Sequence, residues 1–290
     1  MEIGRPRLHV DADSVIRLIA IDIDGTLLDS RGRLPEAHRD ALIEASARGV
    51  EIALATGRSH HFTGSVVELL PIPLTLIVNN GAVVKHKDGT TVVRHLLTRD
   101  AARRILDQTR HLEDSVAIVF DRLDERQIVF ERMDWSHPHR RGYYEKNKTF
   151  IANTPSPLRE SLTEDPIQVM FNGSVEPMRQ LVASLRAMPD ADQFTVAITE
   201  YVPRDFSLVD VNGAGCSKGT TLARWTALQG INAADVMAVG DNLNDVEMLD
   251  FAGTAYVMGN ATDAIKSRGY RVTGTNDEGG LATAIRQALG

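Results

Sequence analysis

The sequence predicts an α/β protein with a Rossmann-like parallel core and an inserted α+β domain. Three observations predict this fold. Short apolar runs alternate with helical segments at both ends of the chain, strand-like runs follow one another in the middle, and polar residues stand directly after the core strands. Alternating strands and helices are typical of right-handed βαβ units, whose parallel strands are buried on both faces.

The core elements follow from apolar runs and from the residues that end helices. The first part of the chain predicts strands at residues 18–21, 50–55 and 74–78 and a helix at 36–47 that Gly49 terminates. The last part predicts, in order, a helix at residues 217–227, a strand at 236–239, a helix at 245–251, a strand at 254–257 and a helix at 281–289.

The middle of the chain shows a different pattern. Strand-like runs without helices between them favour an antiparallel sheet with helices on one face. These runs are residues 90–93, 116–120, 127–130, 167–171 and 194–198, with helices predicted at 100–111 and 177–188. We therefore expect an N-terminal extension at residues 1–16, a core formed by residues 17–84 and 204–290, and an inserted domain at residues 85–203.

The composition excludes several classes of protein. The chain of 290 residues is 43% hydrophobic and 24% charged, which is typical of a folded globular protein and not of a disordered one. Its 32 basic and 39 acidic residues give a net charge of −7, which argues against a nucleic-acid-binding role. A single cysteine, Cys216, excludes an intramolecular disulfide and a cysteine-based zinc cluster.

The sequence also bears on location. No apolar run approaches the roughly 18 residues that would indicate a membrane span. The first residues are polar and acidic, which is unlike a secretory signal. We therefore expect a cytoplasmic protein without a membrane partner, and the sequence leaves its oligomeric state, monomer or dimer, open.

Two acidic residues stand directly after the first predicted strand. Asp22 and Asp24 belong to the sequence Asp22-Ile23-Asp24-Gly25-Thr26, and ligands bind at the carboxyl ends of the strands in open α/β sheets. Such a pair of carboxylates needs a counter-charge, and oxygen ligands favour Mg²⁺. A carboxylate beside Mg²⁺ can also attack phosphorus. The alternative is a helix-capping aspartate with a solvated neighbour.

Polar residues follow the next two predicted core strands as well. The second strand ends in Thr56-Gly57-Arg58, where a hydroxyl and free backbone N–H groups at the start of a helix suit a phosphate. The third ends in Asn79-Asn80-Gly81, which fits hydrogen bonds to a ligand and to the backbone. Ordinary turn chemistry explains either segment equally well when it is taken alone.

The second half of the core contributes a lysine and another acidic cluster. Lys218 opens a predicted helix, where its ammonium can lie near a phosphate and the attacking carboxylate. Asp241 is suited to complete the metal shell, Asn244 to contact substrate, and Asp245 to orient Lys218 or a metal-bound water. The alternatives are an exposed lysine and a polar turn.

Taken together and in this chain order, these residues resemble the haloacid dehalogenase superfamily, and within it the Cof-type phosphatases with a class IIB cap. The four superfamily motifs match Asp22-Ile23-Asp24-Gly25-Thr26, Thr56, Lys218 and Gly240-Asp241-(x3)-Asp245. The narrower resemblance rests on Thr56-Gly57-Arg58, Asn80-Gly81-Ala82, Ser217-Lys218-Gly219, Asn244, Met248, Met258-Gly259-Asn260-Ala261 and Asn276-Asp277-Glu278-Gly279-Gly280.

This resemblance implies a two-step phosphoryl transfer. Asp22 would form an aspartyl-phosphate, and Asp24 would protonate the leaving alcohol and then deprotonate the hydrolytic water. Mg²⁺ would be held by Asp22, the backbone carbonyl of Asp24, and Asp241. The phosphate would be bound by Thr56, the Gly57 N–H, Lys218 and Asn244. The inserted domain would be a cap that closes over this site and excludes water.

The expected function is therefore Mg²⁺-dependent hydrolysis of a small phosphorylated metabolite, such as a sugar phosphate. One alternative is a sugar phosphomutase-like phosphotransferase, which would return an isomerised product instead of free phosphate. The other is a phosphoacceptor signalling module, because receiver domains also combine acids, a hydroxyl residue and a lysine on a parallel sheet. Such modules are single small domains, however, and do not need the insert.

Overall fold

The computed structural model describes residues 15–122, 126–131, 135, 138–155 and 157–290. Within this part of the chain there are two compact units, one formed by the residues up to Val92 together with Lys218–Gly290 and the other by Val93–Ser217. Of the predicted N-terminal extension, residues 1–14 lie outside the described residues. No helix of the described ranges combines the length and the apolar character that crossing a membrane requires.

Strands and helices alternate at both ends of the chain, and strands dominate the middle. The strands are β1 (Leu18–Ile21), β2 (Glu51–Ala55), β3 (Thr75–Val78), β4 (Val83–His86), β5 (Thr91–Arg94), β6 (Val116–Val119), β7 (Ile128–Phe130), β8 (Ile151–Asn153), β9 (Gln168–Gly173), β10 (Phe194–Tyr201), β11 (Phe206–Gly213), β12 (Val236–Gly240), β13 (Thr254–Val257) and β14 (Arg271–Val272). The helices are α1 (Glu36–Ala47), α2 (His60–Val67), α3 (Arg99–Gln108), α4 (Pro138–Asn147), α5 (Val175–Arg186), α6 (Lys218–Leu228), α7 (Val246–Phe251), α8 (Asp263–Lys266) and α9 (Gly280–Leu289).

The first unit is built on an eight-stranded sheet in the order β14-β13-β12-β1-β2-β3-β4-β5. Its strands from β14 to β3 are parallel, and β4 adds antiparallel to β3. Leu18 of β1 pairs with Glu51 of β2 on one side and with Val236 of β12 on the other. The chain leaves β1 towards β2 and returns later to β12, so β1 lies at the point where the strand order reverses. In open α/β sheets this is where ligands bind.

Burial explains why the core strands are so apolar. All four residues of β1 are fully buried, as are the last three residues of β2 and the middle of β12. Helices cover the sheet, and α1 packs against α9 while α6 packs against α7. A strand that is covered on both faces needs apolar side chains at successive positions, which is the pattern the sequence shows. The predicted Rossmann-like parallel core is therefore present.

The second unit contains a six-stranded sheet in the order β10-β11-β9-β6-β7-β8. Neighbouring strands are antiparallel except for β7 and β8, which are parallel. Helices α3 and α5 pack on this sheet, and their residues Ile105 and Leu185 are buried in one core cluster with Ile118 of β6 and Phe171 of β9. This is the predicted α+β architecture of the insert.

The boundaries between the units differ from the expected 84/85 and 203/204. Strands β4 and β5 extend the first sheet beyond its third strand, although the sequence predicts residues 90–93 to lie in the insert. Strand β11 belongs to the second sheet, because Val209 and Val211 alternate into the core of that unit while β11 pairs with β9 and β10. An alternating pattern marks a strand with one face on a core, and only its partners show to which sheet it belongs.

Candidate active site

The loop after β1 carries Asp22 and Asp24 in two different environments. Asp22 is 5% exposed, and its N–H donates to the carbonyl of Val239 at 3.0 Å, which continues the pairing of β1 with β12. The side chain of Asp24 is 37% exposed. Successive residues along an extended chain point to opposite sides, so residues two apart would share a side, but the chain turns on either side of Asp24 and is no longer extended there.

A glycine allows this turn. Gly25 has φ +88°, in the left-handed region that favours glycine, and a Cβ there would lie 2.3 Å from Oδ2 of Asp241. The loop then closes through backbone hydrogen bonds from Leu27 N–H to the Asp22 carbonyl at 3.1 Å and from Leu28 N–H to the Ile23 carbonyl at 3.0 Å. The sequence therefore folds back on itself beside Asp241 because residue 25 has no side chain.

Lys218 connects the two halves of the core at the buried side of the site. It is the first residue of α6, and its side chain is fully buried. Its Nζ donates to Oδ1 of Asp22 and to Oδ1 of Asp245, each at 2.6 Å. Burial alone would lower the pKa of Lys218, but the charges of the two carboxylates outweigh it and raise that pKa above its ordinary value.

Hydrogen bonds to its own carboxylates hold the acidic loop that follows β12. Oδ2 of Asp245 accepts the N–H groups of Asp241 and Asn242, each at 3.0 Å, and Oδ1 of Asp241 accepts the hydroxyl of Thr26 at 3.0 Å. Burial, followed by the charge of Asp245, raises the pKa of Asp241 to about 7. Burial likewise raises the pKa of Asp22 well above its ordinary value, although Lys218 opposes the shift.

This cluster fits a divalent cation. Asp22, Asp241 and Asp245 each offer a carboxylate oxygen within 4.8 Å of the others. Both oxygens of Asp245 already accept hydrogen bonds, whereas the described bonds of Asp22 and Asp241 use Oδ1 in each case. More carboxylates than ammonium groups are thus gathered in a buried place, and an all-oxygen donor set suits Mg²⁺. The Asp24 carboxylate is not part of this group.

Thr56 and Asn244 are joined through Asn80. Thr56 directly follows β2 and is 1% exposed, and its carbonyl accepts the N–H of Asn80 at 3.0 Å. The side-chain amide of Asn244 donates to Oδ1 of Asn80 at 2.9 Å. The hydroxyl oxygen of Thr56 accepts the N–H of Arg58 at 3.1 Å across Gly57, so its O–H remains able to donate to a bound anion. Asn80 was not among the predicted site residues; its place in an Asn-Gly pair after a core strand was the available signal.

Arg58 is the second residue that the sequence prediction left without a role. Its Nε and Nη2 donate to Oδ2 and Oδ1 of Asp24 at 2.7 and 2.6 Å, and its Nη1 donates to the carbonyl of Phe62 at 3.2 Å. A paired contact of this kind fixes both the position and the plane of a carboxylate. Arg58 stands in the quoted Thr56-Gly57-Arg58 motif, but no sequence pattern showed that its partner would be Asp24.

The described hydrogen bonds thus join the predicted site residues into three groups within the first unit. Asp22, Lys218 and Asp241 meet around Asp245. Thr56 and Asn244 are linked by Asn80, and Asp24 is held by Arg58. These residues stand after the carboxyl ends of β1, β2, β3 and β12 or at the start of α6, the edge of an open α/β sheet at which ligands bind.

Comparisons with known proteins show the family to which the chain belongs. The family model described as haloacid dehalogenase-like hydrolase matches residues 19–285. Among curated proteins, the 5-amino-6-(5-phospho-D-ribitylamino)uracil phosphatase YcsE of Bacillus subtilis is 30% identical over 276 residues, which cover 94% of this chain and 96% of that protein. The pyridoxal phosphate phosphatase YbhA of Escherichia coli is 28% identical over 287 residues, covering 94% and 98% respectively.

Solved structures show the same fold. A haloacid dehalogenase-like hydrolase from B. subtilis has a TM-score of 0.78 at 27% identity and covers 93% of this chain and 99% of its own. A sugar phosphatase of haloacid dehalogenase subclass IIB has a TM-score of 0.73 at 21% identity, covers 93% and 98%, and shows the likeness of fold alone. The expected superfamily and fold class are confirmed. The chain belongs to the haloacid dehalogenase-like hydrolases, and its curated relatives are phosphatases.

Proposed function

We propose that this chain is a phosphatase that hydrolyses small phosphomonoesters with the help of Mg²⁺ and through an aspartyl-phosphate on Asp22. The observation that carries the proposal is the buried contact of Lys218 with Asp22 and Asp245 beside Asp241. Burying several carboxylates around one ammonium is unfavourable unless further positive charge joins them. A divalent metal ion supplies that charge, and full-length relatives that act on phosphorylated metabolites support the proposal.

Asp22 and Asp241 would hold the metal ion with their side chains, and Asp24 with its backbone carbonyl. When it is bound, Mg²⁺ lowers the repulsion between an anionic nucleophile and an anionic phosphate. Asp245 has a different task, because its oxygens hold Lys218 and the backbone of the Asp241 loop. It orients the ligands and the lysine instead of binding the ion itself.

In the first step, a carboxylate oxygen of Asp22 attacks phosphorus, and the bond between phosphorus and the alcohol oxygen breaks. Asp24 gives its proton to the leaving oxygen, which departs as a neutral alcohol. The phosphoryl oxygens are held by the hydroxyl of Thr56, the N–H of Gly57 and the amide of Asn244. Lys218 offers a fixed positive charge to the same oxygens, where negative charge develops.

In the second step, water attacks the aspartyl-phosphate. Asp24, now a carboxylate, takes a proton from the water while the bond between phosphorus and the Asp22 oxygen breaks. Inorganic phosphate leaves, and the Asp22 carboxylate and the Asp24 acid are restored. Arg58 donates to both oxygens of the Asp24 carboxylate and so orients Asp24 as the base of this step, whereas the acid of the first step needs one of these oxygens to leave Arg58 and carry the proton.

The substrate class is a small phosphorylated metabolite, such as a sugar phosphate. The test is a panel of sugar phosphates, pyridoxal phosphate and p-nitrophenyl phosphate, assayed for released phosphate with Mg²⁺ and with a chelator. We expect turnover that requires Mg²⁺ and that Asp22→Asn abolishes, since an amide oxygen is a poor nucleophile. The matched control is Asp263→Asn, which changes a fully exposed carboxylate on α8 and should retain wild-type turnover.

Two results would overturn the proposal. One is wild-type turnover by pure Asp22→Asn protein, and the other is a substrate panel in which no compound releases phosphate. Release of an isomerised phosphate ester instead of inorganic phosphate would identify the phosphotransferase alternative.

A further inference from the structure

Two sequence motifs near the end of the chain have no part in the proposed mechanism. Asn260 follows β13, and Asn276 begins the short 3-10 turn Asn276–Glu278 that precedes α9. Their backbones lie against each other, because the N–H of Gly259 donates to the carbonyl of Gly274 at 2.9 Å. A Cβ at Gly280 would lie 2.1 Å from that same carbonyl oxygen. The glycines of both motifs therefore permit a close approach that brings the two asparagines together.

The two asparagines reach back across the chain to the loop that carries Asp22 and Asp24. The Asn260 amide donates to the carbonyl of Gly25 at 2.9 Å, and the Asn276 amide donates to the carbonyl of Leu28 at 2.8 Å. They are also bonded to each other, since the N–H of Asn276 donates to Oδ1 of Asn260 at 3.0 Å. Asn260 and Asn276 thus form one unit, which we call the amide bracket.

The loop needs such support at one particular residue. Gly25 has to be glycine, because of its φ of +88° and its approach to Asp241, but glycine is also the residue with the greatest backbone freedom. A hydrogen bond to the Gly25 carbonyl fixes the peptide group that follows Gly25. The Leu27 carbonyl is held as well, because Nδ1 of buried His38 donates to it at 2.9 Å. Hydrogen bonds from residues outside the loop therefore restrict the backbone freedom that Gly25 gives it.

The solvent exposure of the two asparagines distinguishes a role in positioning the loop from a role in stabilising the fold. Asn260 is exposed to solvent, and the net contribution of an exposed hydrogen bond to stability is small. Asn276 is 5% exposed and contributes to packing as well. Removal of the Asn260 side chain should therefore release the loop without unfolding the protein.

We propose that Asn260 and Asn276 are positioning residues for the catalytic loop and act through the carbonyls of Gly25 and Leu28. The reaction they serve rests on the proposed function, whereas their hold on the loop does not. Groups that orient the ligands of a metal site cost about 10–100-fold in activity or metal affinity when they are removed. The bracket holds the chain directly after the two proposed ligands, the side chain of Asp22 and the carbonyl of Asp24.

The test uses Asn260→Ala and Asn260→Asp in the full chain. The aspartate variant keeps the acceptor for the Asn276 N–H but turns a carboxylate oxygen towards the Gly25 carbonyl. The matched control is Asn232→Asp, which makes the same change at an exposed asparagine without a side-chain capping bond at the amino end of β12. Two measurements are made: steady-state kinetics with p-nitrophenyl phosphate at saturating Mg²⁺, and hydrogen exchange of the peptide covering residues 22–30.

We expect kcat to fall about 10-fold or more in both Asn260 variants while KM stays within about twofold, because the phosphate ligands lie outside the loop. Exchange should rise in residues 22–30 only, and Tm should stay at the wild-type value. Asn260→Ala combined with Asn276→Ala should lose less than the product of the single losses, since the two residues act as one unit. The Asn232 control should match the wild type throughout.

Wild-type kcat together with wild-type exchange in Asn260→Ala would overturn the proposal. A loss of activity with a lowered Tm and faster exchange throughout the first unit would also overturn it, because the role would then be merely structural. If the wild type hydrolyses no phosphomonoester, the proposed function is wrong, and the exchange of residues 22–30 still decides whether the bracket holds the loop.

Discussion

The two carboxylates that follow β1 show how neighbouring residues can be prepared for different tasks. Asp22 is buried and bonded to a buried lysine, whereas Asp24 is half-exposed and bonded to the half-exposed Arg58. A nucleophile benefits from a dry, fixed position, because charge interactions there are strong. A group that exchanges protons with an alcohol and then with water has to be reached by both. Both residues are aspartates, so the difference between their proposed roles comes from their partners: a buried Lys218 for Asp22 and a half-exposed Arg58 for Asp24.

The largest expected effect is on the buried side of this comparison. Lys218→Met removes the only ammonium that the described contacts give to Asp22 and Asp245, and leaves their charges buried without compensation. We expect the free energy of unfolding to fall by about 3–5 kcal/mol and turnover to fall below detection. Thermal unfolding measures the first and phosphate release the second. Lys148→Met, at an exposed lysine paired with Glu145, is the control, and equal stability of the two variants would contradict the prediction.

A smaller loss of activity is expected from a change at the solvent-accessible Asp24, and the size of this loss should depend on the leaving group of the substrate. Asp24→Asn removes the proton donor, which should lower kcat about 100-fold or more for an alkyl phosphate such as a sugar phosphate. The loss of the first step should be much smaller with p-nitrophenyl phosphate, because nitrophenolate departs without a proton. Pre-steady-state kinetics with both substrates measures this ratio. An equal loss with both would mean that Asp24 acts in some way other than as the acid.

The smallest effect concerns pH and needs no substrate. Burial raises the pKa of Asp241 to about 7 from an ordinary value of 3.8, so the folded protein binds more protons than the unfolded one between these values. In metal-free protein, this contribution to stability is present at low pH and is lost as the pH rises from about 4 towards 7. Added Mg²⁺ binds the ionised form, and should therefore stabilise more at pH 8 than at pH 5.

Thermal unfolding at both pH values, with a chelator and with Mg²⁺, measures this dependence. Asp241→Asn is the informative comparison, because residue 241 then has no carboxyl to titrate. The variant should lose the part of the pH dependence that Asp241 contributes, while the part from Asp22 remains, and it should lose most of the Mg²⁺ effect. Identical behaviour of this variant and the wild type would show that other groups are responsible.

The core could be predicted because its signals are local. Buried parallel strands are apolar at successive positions, and polar residues mark their ends, so Asp22, Thr56, Lys218 and Asp241 could be singled out as candidates from the sequence. What was missed depends on contacts between distant residues. The contact of Arg58 with Asp24 and that of Asn244 with Asn80 connect side chains from different loops, and either residue alone is typical of a polar turn.

The boundary of the insert was harder to predict for a related reason. Residues of β11 alternate between apolar and polar, as Val209, Asp210 and Val211 show, and such a strand fits the edge of either sheet. The choice depends on which partners bury its apolar face, and that is a property of the folded unit. Strand β5 was misplaced in the same way, since its place beside β4 in the first sheet is not encoded in its own residues.

The position of β1 between β2 and β12 has a consequence for synthesis of the protein. The residues of the second unit are continuous in the chain, while the first unit needs residues from both sides of them. Domains tend to fold as they leave the ribosome, so the second unit can form while half of the parallel sheet still waits for its partner strands. Lys218, Asp241 and the amide bracket are all translated after it. A nascent chain therefore lacks part of its proposed catalytic centre until translation is nearly finished, and a premature stop before Lys218 yields a chain that has the proposed nucleophile Asp22 but lacks Lys218 and Asp241.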